Sequence, residues 1–128
     1  MSYLENIGKN SKKAFEDLKT IKHDKIKQVL ESYNKSLLIN KQKIIRENQK
    51  DVKNIKRKNL VDRLILNENR IDGIRNSISE ICNFKNPIGQ ILEAWKRPNN
   101  LNIKKISTPI GVIGIIYESR PNVTADVA

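Results

Sequence analysis

The sequence is poor in the residues from which disulfides and metal centres are built. It has one cysteine, Cys82, and one histidine, His23, in 128 residues. A lone cysteine excludes an intrachain disulfide and is typical of the reducing cytosol, so we expect a cytoplasmic protein. One histidine and no Cys/His cluster also exclude a metal site of the zinc type, and we expect no metal.

Long apolar runs are missing as well. No stretch approaches the ~20 apolar residues that a membrane-spanning helix needs, so no membrane association is expected. The opening residues 1–6 contain no basic segment followed by an apolar one, and no secretory signal is expected. There is no Walker-type glycine loop, and the Gly-x-x-Gly of Gly111 and Gly114 is too weak a signal to specify a dinucleotide site alone.

Arginines and aromatic residues are scarce where the positive charge is concentrated. The net charge is +11, and residues 1–60 hold 16 Lys/Arg against 7 Asp/Glu, with Arg46 and Arg57 as their only arginines. Specific nucleic-acid recognition relies on arginine forks and stacked aromatic rings. The 18 lysines, 20 isoleucines and 16 asparagines together indicate an AT-rich coding sequence. We therefore favour solvated helix faces over the alternative, a basic helical nucleic-acid-binding or interaction module.

Helical periodicity dominates the first two-thirds of the chain. Apolar residues spaced by three or four predict one helix over residues 4–18 and a long second helix of about eight turns that ends near Ile55. Thr20 or Asp24 is expected to cap the second helix, and Asn67 to cap a third. One face of this third helix is formed by four isoleucines: Ile71, Ile74, Ile78 and Ile81.

The pattern becomes extended after Pro87. Turn chemistry at 87–89 and 97–100 is followed by a predicted strand, Leu101–Ile106. The next apolar run, Ile110–Tyr117, is rich in β-branched residues on both faces, which is typical of a strand inside a parallel sheet covered by helices.

A parallel neighbour requires a crossover of a dozen or more residues, and only eleven residues follow Tyr117. Residues 123–128 are predicted to begin such a crossover helix. We therefore expect an incomplete α/β domain. The alternative is an antiparallel hairpin between Leu101–Ile106 and Val112–Tyr117, which would leave a long apolar edge.

The best functional candidates directly follow the apolar run. Ligands bind beyond the carboxyl ends of strands in open α/β sheets. The residues at that position are Glu118, Ser119, Arg120, Pro121 and Asn122. The planar guanidinium of Arg120 suits a phosphate or carboxylate. The alternative is a purely structural role, in which proline stiffens the turn and Arg120 pairs with Glu118. Cys82, at the apolar end of a helix with no histidine nearby, is predicted to be a buried structural residue.

A specific string links this turn to a known family. The string is Tyr117-Glu118-Ser119-Arg120-Pro121-Asn122-Val123-Thr124. With the run before it, it resembles the signature of the glutamate-5-semialdehyde dehydrogenases (gamma-glutamyl phosphate reductases) of the aldehyde dehydrogenase superfamily. Three other stretches agree in order and spacing, namely Leu60–Leu64, residues 81–83 with 87–89, and residues 95–99.

The resemblance implies a fold and a division of the chain. The fold is α/β, with N-terminal helices and the first strands of an aldehyde-dehydrogenase-like, Rossmann-type cofactor domain that is truncated. Residues 1–100 would be a helical segment packing on the cofactor domain, and 101–109 a strand of the oligomerisation region. Residues 110–128 would be the first strand and the start of the first helix of the cofactor domain.

The resemblance also implies a reaction in proline biosynthesis. These enzymes reduce L-glutamyl 5-phosphate with NADPH to L-glutamate 5-semialdehyde and phosphate. A cysteine thiolate displaces the phosphate, and hydride then reduces the thioester; that cysteine lies beyond the end of this chain, so the chain alone is predicted to be inactive. A homo-oligomer and a functional link to glutamate 5-kinase are implied for the full-length protein.

Roles for the turn residues follow from the same resemblance. Asn122 is the counterpart of an asparagine whose amide stabilises the oxyanion, although an alignment without a gap places Arg120 there instead. The expected cofactor-binding residues for NADPH or NADP are Tyr117, Glu118, Ser119, Arg120 and Asn122.

Overall fold

A computed structural model of the chain describes residues 2–56, 58–118 and 120–128. Its helices are α1 (Tyr3–Leu18), α2 (His23–Asn54), α3 (Val61–Leu64), α4 (Glu68–Cys82) and α5 (Pro121–Val127), with a 3₁₀ turn at Lys58–Leu60. Its strands are β1 (Ile91–Lys96) and β2 (Asn102–Ile106). The chain divides into two units, one formed by residues up to His23 with Lys85–Gly114, the other by Asp24–Phe84 with Ile115–Ala128.

Helix α1, in the first unit, begins at a capping box. The Ser2 hydroxyl accepts from the Glu5 amide at 3.3 Å, and the Glu5 carboxylate accepts from the Ser2 amide at 2.7 Å. Two backbone donors that the helix leaves open are thereby satisfied. The helix predicted over residues 4–18 is confirmed.

The first unit also contains an antiparallel hairpin. β1 pairs with β2, with Trp95 opposite Ile103 and Lys96 opposite Asn102. Asn100 closes the turn with a left-handed φ of 64°, a conformation that asparagine tolerates better than most residues. β2 confirms the strand predicted at Leu101–Ile106. β1 was not predicted, because its residues fall within the segment 1–100 that was expected to be helical.

The apolar segment Ile110–Tyr117 is not a strand, contrary to the prediction from its composition. Residues 110–118 lie outside every helix and strand, and the side chains of Ile110 and Ile116 are 95% and 103% exposed. The alternative hairpin between this segment and residues 101–106 is also wrong, because β2 pairs with β1. A strand requires a hydrogen-bonding partner, and the described residues supply none to this segment.

Helix α4 supplies the apolar centre of the second unit. Ile71, at 1% exposure, and Ile78 are the buried hydrophobic side chains of the described residues, and they lie two turns apart on one face. The Asn67 side chain accepts from the Arg70 amide at 2.9 Å, which confirms the predicted cap. Ile81, on the same stripe, is exposed near the end of the helix.

Polar contacts join α2 to α4. The Asn34 amide donates to the Arg75 carbonyl at 2.9 Å and to the Ser79 hydroxyl at 2.8 Å. In return, Arg75 Nε donates to Asn34 Oδ1 at 2.9 Å. Lys41 pairs with Asp72 at 2.8 Å. The long helix is therefore fixed to α4 by side chains that lie two turns apart along it.

The beginning of α2 differs from the prediction. The helix begins at His23, so Asp24 lies inside its first turn. Thr20 instead donates its hydroxyl to the Asp17 carbonyl at 2.9 Å, at the end of α1. Neither residue therefore makes the expected cap, because Thr20 is already used by the preceding helix. Among the described residues, no helix combines the length and apolar character needed to cross a bilayer.

Candidate functional site

The candidate turn leads directly into α5. Arg120 precedes the helix in an extended conformation (φ −110°, ψ 100°), and Pro121 is the first helical residue. Proline suits this position because its φ is already helical and the missing N–H would have no partner in the helix. Residues 123–127 confirm the helix start predicted at 123–128.

Helix α5 packs against α4 in the second unit, and a cavity of about 400 Å³ opens beside the contact. We call it the α4–α5 cavity. Its polar and charged lining comes from five residues of α3, α4 and α5: Arg63, Arg70, Ser77, Asn122 and Asp126. Both signs of charge therefore border one opening.

The two arginines of this cavity are engaged differently. Arg70 Nη1 donates to the carbonyls of Asp62 at 2.5 Å and Ile65 at 2.7 Å, while Nη2 lies 3.1 Å from the Asp62 carboxylate. These contacts satisfy carbonyls at the end of α3, so Arg70 fixes the connection to α4. Arg63 is exposed, and the part of the chain that is described gives its guanidinium no ion pair or hydrogen bond.

Asn122 and Asp126 lie one turn apart on α5. The Asn122 amide nitrogen is 3.4 Å from the Asp126 carboxylate, a long hydrogen bond. Asp126 also influences α2: burial first, and the Asp126 charge second, raise the pKa of the Tyr33 phenol. A negative charge near a phenol disfavours the phenolate. Helix α5 therefore brings its carboxylate close to α2 as well as to the α4–α5 cavity.

The predicted site residues are not all gathered in this cavity. Asn122 lines it, whereas the Tyr117 hydroxyl is 3.1 Å from the Thr124 hydroxyl. Glu118 and Arg120 are both exposed, and among the described residues they form no ion pair with each other. Ser119 lies outside the described residues. Asn122, itself exposed, thus borders the α4–α5 cavity, whereas Glu118 and Arg120 lie at the surface outside its lining.

The two glycines of the Gly-x-x-Gly pattern lie in the segment 110–118, which is outside every helix and strand. Gly111 has a φ of 118°, and a Cβ at Gly111 or Gly114 would meet no other described atom within 4 Å, so no close contact within the described chain requires a glycine at either position. No group of three or more His, Cys, Asp or Glu residues is placed to hold a metal in residues 2–56, 58–118 and 120–128. Cys82, the last residue of α4, is partly buried and makes no disulfide.

Sequence reasoning missed the charged lining of the cavity. Arg63 lies in the stretch Leu60–Leu64, whose only signal is its resemblance to the family. Asp126 lies in the predicted helix start without an assigned role. The signal available was the position of Asp126 one helical turn after Asn122, which places both on one face.

Comparison with known proteins finds enzymes that are similar to this chain. The chain is 40% identical over 98% of its length to the gamma-glutamyl phosphate reductase of Desulforamulus reducens, and 44% identical to that of Caldanaerobacter subterraneus. It spans 31% of the length of each of these relatives. No family model matches the chain.

Solved structures give the same result. The gamma-glutamyl phosphate reductase of Thermotoga maritima matches 98% of this chain with a TM-score of 0.90 at 32% identity, over 31% of its own length. The enzyme of Saccharomyces cerevisiae matches 99% of this chain with a TM-score of 0.91 at 27% identity, over 33% of its own length. The resemblance carried by the Tyr117–Thr124 string and the expected α/β class are confirmed, and the comparisons do not favour the nucleic-acid alternative.

Proposed function

We propose that the chain is part of a gamma-glutamyl phosphate reductase, which reduces L-glutamyl 5-phosphate to L-glutamate 5-semialdehyde in proline biosynthesis. One observation carries the proposal: 98% of the chain aligns at 40% identity with a reductase of that name. The small-molecule substrate, the soluble cytoplasmic setting and the link to glutamate 5-kinase follow from the same assignment.

The proposed contribution of this chain is to position substrate rather than to supply the nucleophile. Cys82 is partly buried at the end of α4, and the one histidine of the sequence, His23, lies 59 residues before it. An attacking thiol needs a nearby base or positive charge that favours the thiolate. The attacking cysteine is therefore assigned to the part of the relatives that this chain does not span.

Asn122 is the proposed oxyanion donor. Its amide is neutral, lines the α4–α5 cavity, and is held only by a long contact of 3.4 Å to Asp126. A neutral donor stabilises the charge that develops on the carbonyl oxygen when thiolate adds to the acyl group. Arg120, exposed at the turn, is the competing assignment and would bind phosphate or carboxylate through its fork.

The cofactor proposed for the complete enzyme is NADPH, which would supply the hydride. Tyr117, Glu118, Ser119, Arg120 and Asn122 are proposed to border its site. Because the chain spans 31% of the relatives' length, the rest of that site is assigned to the part of those relatives that it does not span. The proposed division is a helical segment at 1–100, an oligomerisation strand at 101–109 and the start of the cofactor domain at 110–128, in a homo-oligomer.

The experiment compares two polypeptides. One is this chain alone; the other is this chain joined in frame to the remaining length of the Caldanaerobacter relative. We expect the joined polypeptide to consume NADPH when L-glutamyl 5-phosphate is supplied and to release stoichiometric phosphate. We expect the chain alone to show no turnover. Turnover by the chain alone, or failure of the joined polypeptide on this substrate, would overturn the proposal.

A further inference from the structure

The α4–α5 cavity is bordered by a positive and a negative side chain, Arg63 and Asp126, and neither forms an ion pair in the described part of the chain. Arg63 makes no ion pair or hydrogen bond in the described part of the chain, and Asp126 makes no ion pair there. Both line the same cavity of about 400 Å³. Uncompensated charges of both signs at one opening suit a ligand that carries both signs itself.

The proposed substrate is such a ligand. L-Glutamyl 5-phosphate carries an α-carboxylate and an α-ammonium at the end remote from its acyl phosphate. We propose that the α4–α5 cavity receives this amino-acid end, with Arg63 binding the α-carboxylate and Asp126 the α-ammonium. This inference rests on the proposed function and adds to it the residues that select an amino-acid substrate.

Arg63 is the better placed of the two arginines for this task. The guanidinium of Arg70 already donates to the Asp62 and Ile65 carbonyls and lies 3.1 Å from the Asp62 carboxylate. Binding a substrate through Arg70 would break contacts that hold α3 against α4. Arg63 has its whole fork available, and a planar fork matches a carboxylate through two parallel hydrogen bonds.

Asp126, although exposed, lies on the face of α5 that borders the α4–α5 cavity. Its carboxylate lies 3.4 Å from the Asn122 amide, and its charge contributes to the raised pKa of Tyr33 on α2. An ammonium group beside it would offset a negative charge that no lysine or arginine among the described residues pairs with. Asp126 also lies one turn from Asn122, so the amino-acid end would be held close to the proposed oxyanion donor.

The size of the opening agrees with this role. Sites for small molecules commonly enclose about 300–1,000 Å³, and the α4–α5 cavity of about 400 Å³ lies at the small end. This volume is sufficient for an amino-acid end group with its side-chain methylenes. Gly73 and Ile74, between the polar Arg70 and Ser77, add an apolar stretch of α4 to the lining that suits those methylenes.

The test uses two aldehydes that differ only in the ammonium group. The joined polypeptide is assayed in the oxidative direction, in which aldehyde, phosphate and NADP are converted to acyl phosphate, NADPH and a proton. The substrates are L-glutamate 5-semialdehyde and 5-oxopentanoate, which keeps the carboxylate but lacks the ammonium. The variants are Arg63→Met and Asp126→Asn, with Arg63→Lys and Asp126→Glu as conservative forms.

Each variant has its own expected pattern. Asp126→Asn should raise KM for L-glutamate 5-semialdehyde about 10-fold or more, the equivalent of one charged hydrogen bond, and leave KM for 5-oxopentanoate nearly unchanged. Arg63→Met should raise KM for both aldehydes. The conservative forms should recover part of each loss. Arg46→Met, which removes the same charge from an exposed position on α2, should change neither KM.

The inference and the proposed function fail in different ways. If the unmodified joined polypeptide oxidises L-glutamate 5-semialdehyde while Arg63→Met and Asp126→Asn leave every KM within about twofold of it, the subsite assignment is wrong and the reductase stands. If Asp126→Asn raises both KM values equally, a structural role replaces ammonium binding. If the unmodified polypeptide oxidises neither aldehyde, the proposed function itself is overturned.

Discussion

At the scale of single residues, the most consequential polar group of the second unit is Asn48. It lies on α2, is 6% exposed, and is the buried polar residue of the part of the chain that is described. Its amide donates to the Leu64 carbonyl at 2.9 Å and its oxygen accepts from the Leu66 amide at 2.6 Å. Leu64 is the last residue of α3 and Leu66 lies in the connection to α4, where these two backbone groups lack the partners that a continued helix would give them. Asn48 therefore replaces them.

We expect Asn48→Ala to destabilise the chain by about 1–3 kcal/mol, because both backbone groups lose their partner. Asn40→Ala is the matched control, since Asn40 lies on the same helix and is exposed, with its amide bonded only to the Ser36 carbonyl. Its effect should stay within about 0.5 kcal/mol. Urea unfolding followed by circular dichroism measures both; equal effects of the two substitutions would contradict the role of Asn48.

A second residue-scale prediction concerns Asn122. If its amide stabilises the oxyanion, Asn122→Ala in the joined polypeptide should lower kcat about 100- to 1,000-fold with a small change in KM. Arg120→Ala is the comparison, because phosphate or carboxylate binding by its fork would appear mainly in KM. The opposite pattern, with kcat lost on Arg120→Ala and kept on Asn122→Ala, would transfer the oxyanion role to Arg120.

At the scale of elements, the helices were predictable and the strands only partly so. Apolar residues at helical spacing located α1, α2 and α4, and Asn67 located the start of α4. β1 was missed because all six of its residues are exposed, so no alternation of apolar and polar residues marks it. The segment Ile110–Tyr117 has strand composition but no partner, and composition alone cannot supply one.

The attachment of α2 to α4 should depend on pH. A hydrogen bond from Lys41 is the main cause that lowers the pKa of Asp72, and the same pair raises the pKa of Lys41. Because the folded pKa of Asp72 lies below the unfolded one, its contribution is present above the unfolded value and is lost as pH falls through the folded value. For Lys41 the contribution is present below the unfolded pKa and is lost as pH rises through the folded one.

Asp72→Asn should therefore lower stability at neutral pH and converge with the unmodified chain in acid, below the folded pKa of Asp72. Unfolding midpoints across the acid range measure this difference, which salt should also reduce because the pair is partly exposed. Glu80→Gln is the control: it removes the same charge from α4 at a position that forms no ion pair in the described residues. A constant difference at every pH would contradict the linkage.

The pKa of the Tyr33 phenol reports whether α5 is packed near α2. Burial and the Asp126 charge, in that order, raise the pKa of its phenol. Asp126→Asn should lower this pKa and still leave it above the ordinary value, because burial persists. Ultraviolet titration of tyrosinate, with Tyr33→Phe to subtract Tyr3 and Tyr117, gives the value. An unchanged pKa in Asp126→Asn would show that α5 does not hold its carboxylate near α2.

In the candidate site, too, the features that depend on neighbouring residues were predictable from the sequence, whereas those that depend on packing between helices were not. The turn at 117–122 was recognisable from its string of residues and from its position after an apolar run. The grouping of Arg63 with Asn122 and Asp126 was not, because it depends on α5 packing against α4 across the 38 residues that separate the two helices. Sequence patterns specify faces of helices, whereas the choice of which faces meet is a property of the folded unit.

At the scale of the whole molecule, the exposed apolar segment is the feature that most needs explanation. Ile110, Ile113 and Ile116 are exposed, and a large contiguous apolar surface is rarely left to solvent in a stable monomer. The chain spans only 31% of the reductases it resembles. We therefore propose that sheet neighbours in the remaining length of those enzymes cover this segment.

Hydrogen exchange of the amides in Ile110–Tyr117 tests this assignment most directly. It is measured by mass spectrometry on the chain alone and on the polypeptide joined to the remaining length of the Caldanaerobacter relative. We predict fast exchange in the chain alone, where these amides have no partner, and exchange slowed by orders of magnitude in the joined polypeptide, where sheet hydrogen bonds form. Equally fast exchange in both polypeptides would contradict the assignment of this segment to a sheet.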